Sequence, residues 1–326
     1  MGNAVALAPL LLEPVHVDRA WGGLARLRDY QPTVPEGRCI GETWDIASYP
    51  TADCRMRNGP MSGAHLSELL ARDGEAVLGR PWRGFNDFPL LHKYLAPVRD
   101  LPLQVHPDDA YARRVEGQNG KAECWVILDC APGAEVFLGL DGVESMEHLR
   151  SLAAAGALAR HARRVRVRNG DVVPIPAGTV HSLGGNVFAY EVQQNSDVTY
   201  RLDDFGLGID PPDVRRLHLR RALDVIDLPA NLAPTPAFAN WCDREGQLDF
   251  APHFRLAALH VVAGRRRPLP DEGRCRGLVV LDGRGTLAGS AGIQSLSKGQ
   301  SWLLAATGGT LAVEGDLRIL LSVFPE

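Results

Sequence analysis

Apolar positions in this chain follow two different periods. Leu66, Leu69, Leu70 and Val77 recur at helical spacing and stop at Gly79, which predicts a helix over His65 to Leu78. Pro107 at a first helical position, Asp108 and Asp109 in the first turn and Gly117 at the end predict a second, from Pro107 to Glu116. The Leu- and Ala-rich stretch from Ser145 to Arg163 predicts a third, and Pro212 to Ile226 a shorter fourth. Elsewhere the apolar runs are short and bounded by Gly, Pro, Asn and Asp, which predicts strands at Cys124 to Asp129, Arg164 to Arg168, Val187 to Gln194, Phe254 to Val262, Leu278 to Leu281 and Leu317 to Phe324. The apolar stretch from Met1 to Leu12 lacks a basic start and a small-residue cleavage site, contains Pro9, and runs into Glu13 and Pro14. It reads as a first strand rather than a signal peptide.

Composition supports a strand-rich reading. The 326 residues include 34 glycines and 23 prolines, about one residue in six, and so many breakers suit short strands and tight turns. The length is about twice a 150-residue domain, and Pro229, Pro234 and Pro236 mark a boundary that divides the chain into residues 1–230 and 231–326. The second part has turns at "LDGRGT", "LSKGQS" and "ATGGT", the pattern of a small β sandwich or jelly roll. A net charge of −4 with no basic cluster larger than Arg265 to Arg267 argues against a nucleic-acid or anionic-membrane partner. No run of 18 apolar residues offers a membrane span. The six cysteines form no C-x-x-C pair, so free thiols in a reducing cytoplasm are expected.

The chemistry concentrates in "LPLQVHPDDAYARRVEGQNGKAECWVILD" and "NGDVVPIPAGTVHSLGGN". Gln104 and His106 are two apart and share one face of an extended strand. After a helix-sized excursion, Glu123 stands at the head of an apolar strand, and a Pro176-x-Gly178 turn aims His181 inward. One amide oxygen, two imidazoles and one carboxylate suit a borderline divalent ion such as zinc, with a position left open for substrate. Glu191 is embedded in the apolar run Val187 to Val192, and a carboxylate there needs a partner or a function. His253 and His260, in the second part, have no ligand-spaced neighbours and read as structural.

The segments "PLLHKYL", "QVHPDD", "GKAECWVILD", "PIPAGTVHSLG", "YEVQQNSDVTYRLDDFG" and "RRLHLRRALDVI" resemble the type I mannose-6-phosphate isomerases in their short bacterial form, and "RAWGG" and "GETWDI" fit as well. The resemblance is dense from about residue 10 to residue 228 and looser beyond. It implies a mainly β fold: a cupin double-stranded β-helix with a helical insertion, then a smaller C-terminal β domain of jelly-roll type without a metal site. It also implies interconversion of mannose 6-phosphate and fructose 6-phosphate, with one Zn2+ per chain on Gln104, His106, Glu123 and His181. By the same resemblance Arg201 is the essential arginine and Lys121 the active-site lysine, while Glu191, Asp197 and Lys93 belong to the substrate pocket.

Such an isomerisation moves one proton between C1 and C2 and another between the two oxygens, most simply through a cis-enediol. Arg201 would stabilise the enediolate, and Glu191 or Lys121 would shuttle the proton. A lysine of lowered pKa beside a metal would act as a base near neutrality, and Lys121 would equally serve as a phosphate ligand. Two departures bear on the phosphate: Pro102 stands where the family usually has Ser, and Leu207 where it commonly has Arg. They keep open an isomerase of a non-phosphorylated or differently substituted sugar, and a metal-bearing sugar-binding cupin without turnover.

Overall fold

The computed structural model describes residues 7–81, 88–209, 211–242 and 244–324. Its strands form three large antiparallel sheets. A central seven-stranded sheet runs in the order Ala239–Asn240, Asp171–Ile175, Glu123–Asp129, Phe188–Gln194, Leu90–Leu95, Ile40–Ile46, Val15–Asp18. A five-stranded sheet covers one of its faces, in the order Ala162–Arg166, Glu135–Leu140, His181–Ser182, Leu103–Val105, Tyr200–Asp203. A nine-stranded sheet, built mainly from residues beyond 245, covers the other.

Alternation along the central strands explains the layering. Leu95, Trp125, Ile127, Val173, Ile175 and Ala189 pack against Val136 and Leu138 of the five-stranded sheet and Leu183 just beyond its strand His181–Ser182. Tyr94, Cys124, Val126, Val172, Tyr190 and Val192 pack against Leu256, Val279, Leu303 and Leu320 of the nine-stranded sheet. All residues of Leu90–Leu95 and Phe188–Gln194 are buried, as strands covered on both faces must be. The mainly β architecture of paired antiparallel sheets is therefore the one expected.

Sheet pairing crosses the expected boundary near residue 230 in both directions. Leu10–Glu13 pairs with Ser301–Leu304, Leu10 lying opposite Leu303, and Ala239–Asn240 closes one edge of the central sheet against Asp171 and Val172. The expected first strand is realised as Leu10–Glu13, and residues 1–6 lie outside the described residues.

Three of the expected helices form as Leu66–Leu78, Asp109–Val115 and Pro212–Val225. The one expected from Ser145 to Arg163 is cut short: Met146–Ala154 is helical, Gly156 takes φ 64, one 3-10 turn spans Leu158–His161, and the chain then pairs as the strand Ala162–Arg166. Backbone pairing with Glu135–Leu140 overrides a composition that favours helix. Among the described residues, no helix is long and apolar enough to cross a membrane.

Candidate active site

Two glycine positions and a strand ladder deliver the central polar cluster. Gly178 takes φ +83 at the third position of a turn closed by Thr179 N–H on the Pro176 carbonyl, and its own N–H donates to the His106 carbonyl at 2.8 Å. A side chain there would be strained and would press on the Val225 carbonyl, so the turn that aims His181 requires glycine. Gly120 lies so close to the Asp108 backbone that a Cβ would come within 2.5 Å of it. That approach lets Lys121 N–H reach the Pro107 carbonyl at 3.0 Å. In the ladder, Gln104 stands opposite His181 on one side and Arg201 on the other, and Glu123 heads the facing strand in the central sheet.

His106, Glu123 and His181 converge, their donor atoms all within 4.8 Å of one another. His181 Nε2 lies 3.1 Å from Glu123 Oε1, His106 Nε2 lies 3.5 Å from Oε2, and the Gln104 amide nitrogen lies 3.4 Å from His181 Nε2. Each ring donates its Nδ1 proton to a carbonyl, His106 to Val198 at 3.0 Å and His181 to Thr179 at 2.8 Å. A carbonyl only accepts, so both Nε2 atoms are left as lone pairs aimed at the centre. Burial, then the charge of Lys121, pushes His106 down to about 3, so it stays neutral, the form that ligates metal. Neither Glu123 oxygen accepts a well-aligned hydrogen bond, although both are buried. Two imidazole nitrogens with their lone pairs turned to the centre, the one on His106 met by the Lys121 ammonium at 2.9 Å, and a buried carboxylate are a set that fits a divalent metal ion.

Beside this cluster a cavity of about 290 Å³ opens between the sheets, lined by Gln104, Lys93, Lys121, Glu191, Asp197 and Arg201 among others. Every site residue expected from the sequence is thus either in the cluster or on the cavity wall. Pro102 lines the cavity too, while Leu207 packs on the apolar core around Trp21 and Leu95.

A row of side chains crosses four strands of the central sheet: Trp44 opposite Lys93, Lys93 opposite Glu191, and Glu191 opposite Trp125. Lys93 Nζ is 3.6 Å from Glu191 Oε1, and Trp125 Nε1 donates to Glu191 Oε2 at 2.8 Å. Burial and the nearby Glu123 charge raise the Glu191 carboxyl above its usual range, against the pull of Lys121, Lys93 and the Trp125 hydrogen bond. Glu123 goes the other way. Burial opposes its ionisation, but Lys121 at 2.7 Å and the two imidazoles hold it well below the usual range. Two neighbouring carboxylates are thereby driven apart, a common arrangement at acid–base sites. Burial pulls the Lys121 ammonium down, yet Glu123 and Glu191 outweigh it and hold the group above its ordinary value. This is opposite to the lowered value a lysine base needs.

Sequence reasoning assigned no role to Asp18, Arg19, Trp21, Glu42 or Thr199, which also line the cavity. The signal for Glu42 was present: "IGETWDI" is an apolar run with a carboxylate inside it, and all seven residues of that strand are buried. In the nine-stranded sheet His260 is exposed on its strand and His253 stacks edge-on with Phe250, so neither joins a donor cluster among the described residues.

Residues 10–124 match the model of the phosphomannose isomerase type I catalytic domain. Over 223 residues the chain is 40% identical to mannose-6-phosphate isomerase ManA of Bacillus subtilis, covering 68% of this chain and 69% of that protein. It is 32% identical over 320 residues to a mannose-6-phosphate isomerase of Streptococcus mutans, covering 96% and 98%. The solved structure of mannose 6-phosphate isomerase from Bacillus subtilis superposes with a TM-score of 0.81 at 28% identity, covering 97% of this chain and 99% of that one.

Proposed function

We propose that this chain, which belongs to the type I phosphomannose isomerase family, interconverts mannose 6-phosphate and fructose 6-phosphate in the cavity between its two facing sheets. The observation that carries the reading is the placement of a buried His-Glu-His donor set directly beside a cavity lined by Lys93, Lys121, Glu191 and Arg201. His106, Glu123 and His181 would hold one divalent ion, with the Gln104 amide turned over to offer its oxygen as a fourth ligand, and zinc is the ion that best fits this mixed nitrogen and oxygen set. Bound there, it supplies Lewis-acid stabilisation of negative charge on a sugar oxygen.

The residues around it divide the remaining work. Glu191, with its carboxyl raised, is suited to take a proton from C2 and return it at C1. Lys121 is held protonated by Glu123 and Glu191 and acts as a fixed cation toward the enediolate rather than as the base. Arg201 lies next to Gln104 in the ladder and faces the same developing charge. Lys93 and Asp197 border the substrate, and the activity named for the two similar isomerases, on mannose 6-phosphate, supports a phosphorylated sugar. Pro102, which offers neither a hydroxyl nor an N–H to the cavity, favours the second reading of a sugar without phosphate. Six unpaired thiols support the cytoplasm as the setting.

A coupled assay comparing mannose 6-phosphate with mannose, with and without chelator, tests the proposal. Turnover of the phosphorylated sugar that chelator abolishes and zinc restores is the expected result. Turnover of mannose alone moves the assignment to the second reading, and turnover of neither leaves only a sugar-binding role.

A further inference from the structure

Arg19 and Glu42 line the cavity without a part in the chemistry above. Arg19 Nε donates to Glu42 Oε1 at 2.9 Å and its Nη2 donates to Oε2 at 3.1 Å, a bidentate grip. Trp44 Nε1 donates to the same Oε2 at 2.7 Å. Beyond them Lys93 Nζ stands 3.7 Å from Glu42 Oε2 and 3.6 Å from Glu191 Oε1, with the Trp44 ring centred 4.5 Å away. Lys93 is therefore set midway between two carboxylates held by different numbers of donors. Glu42 accepts from three N–H donors on two residues, whereas Glu191 accepts from one, on Trp125.

We propose that Arg19 and Glu42 are positioning residues of the isomerase, Arg19 clamping the Glu42 carboxylate and Glu42 holding the Lys93 ammonium back from Glu191. The inference deepens, and rests on, the isomerase reading. Lys93 is 3% exposed, so its charge has to be compensated by protein groups rather than water. With Glu191 as its one partner, the ammonium would close the 3.6 Å gap into a direct ion pair. That contact would occupy the carboxylate that has to exchange a proton with substrate. A second carboxylate at nearly equal distance on the far side opposes this collapse, and the bidentate arginine prevents that carboxylate from following the lysine. The result is a fixed, already desolvated ammonium at the wall, which needs no reorganisation as charge develops.

A double-mutant cycle on the metal-loaded full chain tests this, with Glu42→Gln, Lys93→Met and the pair, reading kcat, KM, metal content and Tm. Glu42→Gln is expected to lower kcat and kcat/KM alike, by about ten- to a hundredfold, the range typical of residues that orient an active group. Metal content should stay at the parent's level. In the Lys93→Met background the same change should cost less than about threefold, because Glu42 acts through Lys93. Additive losses overturn the proposal, and so does a Glu42→Gln enzyme within about twofold of the parent. Should Glu42→Gln fail to fold, Arg19→Lys keeps the charge but loses the fork. Its loss of kcat should again disappear in the Lys93→Met background, and a loss that persists there overturns the assignment. A parent that turns over neither sugar overturns the isomerase reading and this inference together, whereas an active parent with additive losses overturns only the inference.

Discussion

The two faces of the central sheet bury titratable groups in opposite ways. Neighbouring residues of the same strands supply both: Lys93 faces the cavity and His92 and Tyr94 the other side, Glu191 faces the cavity and Tyr190 the other side, and Glu42 alternates with Thr43 and Asp45. On the cavity face, opposite charges lie within 2.7 to 3.7 Å and counter the burial that opposes ionisation. Glu42 is the clearest case: burial opposes its ionisation, yet Lys93, Arg19 and Trp44 hold it at about 2. On the far face, among the described residues, His92 and Asp45 have no counter-charge within ion-pair distance, and burial works against their charged forms. Burial pushes His92 down to about 3, lifts the Asp45 carboxyl well above its usual range, and raises Tyr94 and Tyr190. There the polar atoms are met by neutral partners instead: His92 lies 3.1 Å from Ser322 Oγ and 3.3 Å from Tyr190 OH, and Gln31 donates to Asp45 at 2.6 Å. A period of two along each strand is enough to separate a reactive layer from a structural one.

The most severe way to break the contrast is to remove the anion at the centre of the charged face. Glu123→Gln takes away a donor of the metal cluster and leaves the buried Lys121 ammonium without its 2.7 Å partner. We expect metal content after zinc reconstitution to fall to background and kcat/KM to drop about a thousandfold or more, which corresponds to the several kcal/mol a metal contributes to charge stabilisation. Metal analysis beside the coupled assay checks this. A variant that retains stoichiometric metal would place the site elsewhere.

How much of this was readable beforehand differs between the layers. Gln104, His106, Glu123 and His181 were legible because donor residue types, a shared strand face and a Pro-x-Gly turn are local features, and the fold brings them together as that pattern requires. Glu191 was legible as a carboxylate inside an apolar strand, and the same reasoning applied to Glu42 in "IGETWDI" would have singled it out. Arg19 carried no such mark. Its role depends on a contact 23 residues away, set by the pairing of Val15–Asp18 with Ile40–Ile46. The crossing of the boundary near residue 230 was invisible for the same reason. Nothing in the local sequence of Leu10–Glu13 tells that it pairs with Ser301–Leu304, because edge pairing is decided by tertiary geometry. The false continuation of the helix beyond Ala154 has the opposite cause, a helix-favouring composition overruled by a strand partner.

The neutral face is tested by acid. Folded His92 resists protonation down to about pH 3, while the unfolded chain protonates it near 6.5. Below pH 6.5 the unfolded state therefore binds the extra proton, and the folded state loses stability as pH falls until about pH 3, by up to about 1.4 kcal/mol per pH unit. His92→Gln keeps polar groups for Ser322 and Tyr190 but does not titrate. Denaturant unfolding of parent and variant between pH 7 and pH 5 should show the parent losing stability more steeply on acidification. Parallel curves would mean that His92 is protonated in the native interface and that this face is not neutral.

The smallest expected effect concerns Pro102, a point on the cavity lining that offers no donor. Pro102 lines the cavity immediately before the strand Leu103–Val105, and as proline it offers the wall no N–H and no hydroxyl. Pro102→Ser adds both while leaving Arg19, Lys93, Lys121 and Arg201 in place. A hydrogen bond to a charged oxygen contributes about 1.5 kcal/mol or somewhat more, offset by about 0.5 kcal/mol for ordering the new side chain against the substrate. A net gain near 1 kcal/mol lowers KM for mannose 6-phosphate about fivefold, with kcat unchanged. Because the added donor is aimed at phosphate, KM for mannose should not move. If both KM values fall together, the new hydroxyl meets the sugar and Pro102 has no bearing on phosphate. If neither falls, a donor at position 102 does not reach the substrate, and the cavity binds it without one.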